Sequence, residues 1–164
     1  MISNNTVKNA SNNAGGHEVE ASSPPAPRLS RLFALAALLA LVGLADAVYL
    51  TVEHLTGRSV RCTVTSGCSE VLSSPYATVG GYPLALFGAL AYFTAFSLAT
   101  LAAFGSERAG KLLAVLVALM FATSLWLLYL QAFVLRAFCQ YCLLSAAVTT
   151  LLAIIVIARR ATKK

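Results

Sequence analysis

The chain has 164 residues, of which 59% are hydrophobic and 11% charged, with a mean hydropathy of +0.78 and a formal charge of +6. A soluble domain carries roughly a quarter charged residues, so this composition excludes an ordinary water-soluble globule and calls for a bilayer. The positive balance does not indicate nucleic acid, because the Lys and Arg residues flank apolar runs and form no basic stripe with interleaved aromatics.

Residues 1–30 are rich in Asn, Ser, Ala and Pro and can bury almost nothing. They read as a disordered tail. The first apolar run is too long for a signal-peptide core, so no secretory signal peptide is expected. Glu18 and Glu20, with no Arg before Arg28, speak against a transit peptide. A first span is expected over about Leu32 to Leu55, since about 20 apolar residues cross the hydrocarbon core. A second is expected from about Pro83 to Phe104, a third from Lys111 to Leu135, and a fourth from Ala137 to Ala158. Pro83 suits a first helical turn, Gly80 and Gly81 suit a turn before it, and the break near Arg136 must be a tight reversal at a membrane surface.

The predicted architecture is an all-α membrane protein, a four-transmembrane-helix bundle over residues 31–160 with a cysteine-bearing extracytoplasmic loop and a basic tail at 161–164. Nine basic residues share one side (Lys8, Arg28, Arg31, Arg108, Lys111, Arg159, Arg160, Lys163, Lys164) and three the other (Arg58, Arg61, Arg136). The positive-inside bias places both termini in the cytoplasm. Residues 56–82 and the turn at Arg136 are then outside.

All four cysteines fall on or near that outer face, where disulfides are permitted. FCQYC is a C-x-x-C at a helix start, where orphan N–H groups and the helix dipole stabilise a thiolate. Cys139 is expected nearer the water, and Cys142 a turn deeper, close to a lipid-soluble reactant. RCTVTSGC places Cys62 and Cys68 on a loop that can swing between a soluble partner and the helix-borne pair. Two such pairs form a relay, and the natural two-electron acceptor in a bilayer is a quinone. Two structural disulfides, or a four-cysteine zinc site, are the alternatives that spacing alone leaves open, and no metal site is expected.

Other polar and aromatic residues are candidates for contact with that quinone. Asp46 is a carboxyl inside the first span, where it implies a function or a polar pairing. Ser73, Ser74 and Tyr76 could donate hydrogen bonds to a quinone carbonyl; a helix cap is the alternative for Ser74 and an interfacial anchor for Tyr76. Trp126 and Tyr129 could pack on the quinone ring or sit in an aromatic belt.

RCTVTSGCSEVLSSPYATVGGYPLALFGALAYF followed by AFCQYCLLS resembles the vitamin K epoxide reductase family, chiefly its bacterial and plant members, over about residues 32–158. The resemblance implies a four-helix bundle around a quinone of the ubiquinone, menaquinone or plastoquinone type. It implies that Cys62 and Cys68 form a shuttle pair serving a thioredoxin-like protein, with Cys62 nearer that partner and Cys68 exchanging with Cys139. Cys139 and Cys142 would be the active-site pair, with Cys142 next to the quinone and Ser74 over the active site in a short helix. Ala146 stands where animal members carry a Tyr four residues after the last cysteine, and residues 80–90 lack their Asn. A respiratory or photosynthetic quinone is therefore expected rather than vitamin K epoxide. The partner is expected to be a separate periplasmic or lumenal protein. The membrane is expected to be a bacterial plasma membrane, with a thylakoid membrane as the alternative.

Overall fold

The computed structural model describes residues 27–57, 60, 62–63 and 67–162. The tail expectation up to residue 26, and the charges Lys8, Arg58, Arg61, Lys163 and Lys164, lie outside the described residues. Four long helices dominate. They are α1 (Pro27–Leu55), α3 (Leu84–Ala103), α4 (Glu107–Tyr129) and α5 (Gln140–Thr162). A short helix α2 (Cys68–Leu72), a 3-10 turn (Pro75–Ala77) and a two-residue hairpin of β1 (Thr78–Val79) and β2 (Tyr82–Pro83) connect α1 to α3. The four long helices contain apolar spans at Ser30–Leu55, Leu84–Ala103, Glu107–Leu135 and Gln140–Ala161.

Several boundaries differ from the sequence expectation. Pro83 is extended, in β2, and is the N-cap of α3 rather than part of its first turn; α3 runs only from Leu84 to Ala103, and α5 continues to Thr162. Helix α1 starts at Pro27, inside the segment read as tail, because Pro pre-sets the first helical turn and needs no donor there. Helix α4 starts at Glu107 rather than Lys111: the Ser106 hydroxyl accepts the Ala109 N–H at 3.3 Å and caps the helix, with Glu107 in the first turn. Helix α5 starts at Gln140 rather than Ala137, so Cys139 stands just ahead of the span.

The bundle is built from small residues inside and large ones outside. Ala36, Ala40, Ala47, Ala89, Ala95 and Ala99 are buried, whereas Leu38, Leu41, Leu90 and Phe93 are exposed. Apolar side chains gain nothing by leaving lipid, so helices in a bilayer associate through close packing at small residues. Gly43 is the tightest such point in α1, since a Cβ there would strike the ring of Tyr92 on α3. We expect Gly43→Val to lower stability by ~1–3 kcal/mol through overpacking and to reduce the thermal midpoint in nanodiscs. Gly88→Ala is the control: its Cβ would sit 3.8 Å from the Ala47 Cβ, an ordinary contact, and should leave the midpoint unchanged or raised.

At one end of the bundle, Arg159 is buried, lies 4.9 Å over the Phe33 ring and pairs with Glu107 at 3.7 Å. The opposite end carries the cysteines. There, Gly80 (φ 59°) and Gly81 (φ 85°) form the tight turn of the hairpin, which pairs Val79 with Tyr82. Two successive positive φ values suit the primed turns of two-residue hairpins. Helix α4 continues through a π turn, Leu130–Leu135, and ends at Arg136 in the left-handed region (φ 51°). The Ala137 N–H donates back to the Gln131 carbonyl at 3.2 Å, closing the reversal anticipated near Arg136.

Candidate functional site

Cys62 and Cys68 are joined by a disulfide with Cα atoms 5.6 Å apart, while Cys139 and Cys142 are free thiols. Cys68 is the first residue of α2 and is buried; Cys62 is half-buried. Cys68, Cys139 and Leu50 belong to one buried cluster, with Cys62 and Cys142 packed against it. The loop pair therefore lies directly on the start of α5.

Three contacts seat the loop. The backbone of Gly67 passes so close to the chain before α5 that a Cβ would lie 2.8 Å from the Phe138 nitrogen and 2.9 Å from the Ala137 Cβ. The Thr63 N–H and hydroxyl both donate to the Gln140 Oε1, at 3.1 and 3.2 Å. The Cys139 N–H donates to the Oε1 of Gln131 at 3.0 Å. The composition carried no signal for these roles of Gly67, Gln131 and Gln140, which depend on contacts between distant segments.

Cys139 is the N-cap of α5, and its carbonyl accepts the Leu143 N–H at 3.0 Å. The expectation that it lies nearer the water is corrected: it is 0% exposed, packed in one cluster with Leu50, Val60 and Cys68. A hydrogen bond from the Cys142 thiol, aided by the backbone N–H groups of Cys142 and Tyr141, holds the Cys139 thiol down at about 7 against the opposing effect of burial. This is the lowered thiol expected at a helix start, with the second cysteine of the pair as its largest cause.

Below the thiols lies a cavity of about 320 Å³ walled by all four long helices. Small-molecule sites fall in the range of about 300–1,000 Å³, with mostly apolar walls and a few placed polar groups. Asp46, Ser74, Tyr76 and Cys142 all line it. Asp46 is buried, and its Oδ2 has no hydrogen-bond partner. Ser74 lies in the link between α2 and the 3-10 turn rather than within a helix, and its hydroxyl donates to the Val71 carbonyl at 2.7 Å.

Tyr92, Ser145 and Thr149 add a polar group that sequence reading did not single out. The Tyr92 hydroxyl lies 2.9 Å from the Ser145 carbonyl, 2.8 Å from the Ser145 Oγ and 3.0 Å from the Thr149 Oγ1. Trp126 is not brought to the cavity. It is 60% exposed and stacks on Tyr129, 5.9 Å between centroids. Ser124, Leu127 and Leu128 line the wall instead, because residues three and four apart share a helix face and Trp126 falls on the other.

A disulfide rests on a free thiol with a lowered pKa, that thiol bonds to a second one, and the second borders a cavity among four spans. Comparison with known protein families matches residues 34–157 to the vitamin K epoxide reductase family. The chain belongs to that family. The vitamin K epoxide reductase fold is a four-helix membrane bundle, and its activity is quinone-linked disulfide oxidoreduction. This member is accordingly a multi-pass membrane oxidoreductase with a disulfide in its connecting loop.

Proposed function

We propose that the protein oxidises a separate thioredoxin-like protein outside the cytoplasm and passes two electrons to a membrane quinone of the ubiquinone, menaquinone or plastoquinone type, supporting disulfide formation. One observation carries this reading: the Cys62–Cys68 disulfide, Cys139 and Cys142 form a continuous path from the loop to the cavity.

In the first step a thiolate of the partner attacks Cys62, the half-exposed end of the loop disulfide, and Cys68 leaves as a thiolate. The partner's second thiol resolves the mixed disulfide, so the partner is oxidised and the loop reduced. Cys68 then attacks Cys139 of the oxidised helix pair, and Cys142 leaves. Cys62 attacks Cys68 next, releasing Cys139. A leaving thiol with a pKa near 7 departs readily, which suits the lowered value at Cys139. The result is an oxidised loop and a reduced helix pair, the combination seen here.

A bound quinone would supply an acceptor for the two electrons and two protons that Cys139 and Cys142 would give up on closing their disulfide. The cavity residues fit such a group. Its walls are mainly apolar, Cys142 faces it, and the Asp46 Oδ2 is a buried polar atom without a partner. A buried group left unpaired costs ~1–3 kcal/mol, a penalty that a bound quinol hydroxyl would relieve. Ser74 and Tyr76 border the same space and would orient the ring.

The arrangement of basic residues favours an inward C-terminus and an outward cysteine end. An oxidising compartment at that end favours the same orientation. Arg159 and Arg160 in the last turn of α5, and Arg108 and Lys111 in the first turns of α4, lie at the end away from the cysteines.

The test is reconstitution in nanodiscs with a ubiquinone analogue and a reduced thioredoxin-like protein. We expect one quinol per partner disulfide. Absence of quinol with a correctly folded protein overturns the reading. In quinone-free protein, attack of Cys139 back on the loop disulfide should rise with pH through a midpoint near 7 and level off above it, because only the thiolate is nucleophilic. Timed thiol trapping follows this exchange.

A further inference from the structure

Gln131 sits in the π turn at the end of α4 and is 2% exposed. Its side chain has two chemically different ends. The Oε1 end is committed, since it accepts the Cys139 N–H at 3.0 Å. A backbone N–H can only donate, so the amide orientation is fixed by chemistry: oxygen toward Cys139, and NH₂ away from it. Among the described residues, the Nε2 makes no hydrogen bond to the protein. The residue also lines the cavity beside Cys142. An amide NH₂ on a cavity-lining residue can donate to an acceptor bound there. The apolar lining near it, formed by Leu128, Leu130 and Leu135, supplies none from its side chains.

We infer that the Gln131 amide bridges the two halves of the site, its oxygen holding the Cys139 backbone and its NH₂ donating a hydrogen bond to a ring carbonyl of the bound quinone. This rests on the quinone reading above and adds to it a named binding residue. The π turn is what allows it. An inserted residue in a helix re-aims the side chains of that turn, and here Gln131 spans from the cavity wall to the start of α5. The bridge fixes the ring against the same peptide that carries the reactive thiol, so ring and thiol are positioned together.

Two variants separate the two ends of the amide. Gln131→Glu keeps an oxygen for the Cys139 N–H and replaces the NH₂. Gln131→Met keeps the length and removes both polar ends. The probe is a short-chain ubiquinone analogue, isotopically labelled at its carbonyls, bound to the full chain in nanodiscs. Its dissociation constant and the infrared stretch of the bound carbonyl are the readouts.

In Gln131→Glu we expect binding to weaken about tenfold, as for loss of one hydrogen bond. The carbonyl stretch should move to higher frequency. In Gln131→Met we expect the same spectral shift, with slower exchange. An unchanged stretch and affinity in the folded variants overturns the inference and leaves Gln131 as a support for Cys139 alone. Failure of the wild-type protein to bind the analogue overturns the quinone reading, and this inference with it.

Discussion

Cys142→Ala should abolish quinone reduction, by at least the ~10³-fold typical of losing a reacting group, and leave the protein folded. Cys142 is half-buried at the cavity wall, and Ala is smaller, so no clash arises. Without Cys142, the helix pair cannot close a disulfide, and two electrons have no route to the acceptor. Cys139 remains. It packs in the same buried cluster as Cys68, and its attack on the loop disulfide gives a Cys68–Cys139 bond with no second thiol on α5 to resolve it. Non-reducing peptide mapping should therefore find a crosslink between the loop and the start of α5. A second effect follows from the hydrogen bond between the two thiols. Removing the Cys142 donor takes away the largest influence that lowers Cys139, so the exchange midpoint should move upward from about 7, toward the ~8.5 of an ordinary thiol. Persistent quinol formation in this variant would remove Cys142 from the electron path.

The parts of this molecule legible in the sequence are those a bilayer dictates locally. A span must be long and apolar regardless of its neighbours, so the four spans and the reversal at Arg136 were readable from composition. The spacing of FCQYC placed its thiols at a helix start for the same local reason. Helix phase was less accessible. Trp126 and Gln131 lie five residues apart on one apolar helix, and nothing in their neighbours says which faces lipid. The conspicuous aromatic lies outside and the inconspicuous amide inside, because the bundle, not the helix, sets the inward face. The burial of Cys139 was hidden for a related reason: Cys68, in the same buried cluster, lies more than seventy residues earlier. Local pattern reports what a segment can be, and the site depends on which segments touch.

Gly67 is the residue on which that touching depends most, and Gly67→Val should uncouple the two cysteine pairs. Even a Cβ at this position would lie 2.8 Å from the Phe138 backbone nitrogen and 2.9 Å from the Ala137 Cβ. Neither is the flexible end of a side chain, so the loop itself must move. Cys68 follows Gly67 directly and would be carried with it, away from Cys139. Thiol exchange needs the attacking sulfur in line with the disulfide, and displacements of about 1 Å at such steps can cost ~10²-fold. We expect partner-driven quinone reduction to fall by about that factor. Gly67 itself does not line the cavity. A small dithiol such as dithiothreitol, admitted once Cys68 has moved away from Cys139, should reduce the helix pair directly and sustain quinol formation at or above the wild-type rate. The two measurements together distinguish a broken relay from a broken protein. If both activities fall in parallel with thermal stability, Gly67 serves the fold. If only the partner-driven activity falls, the close approach at Gly67 is what makes two cysteine pairs into one path.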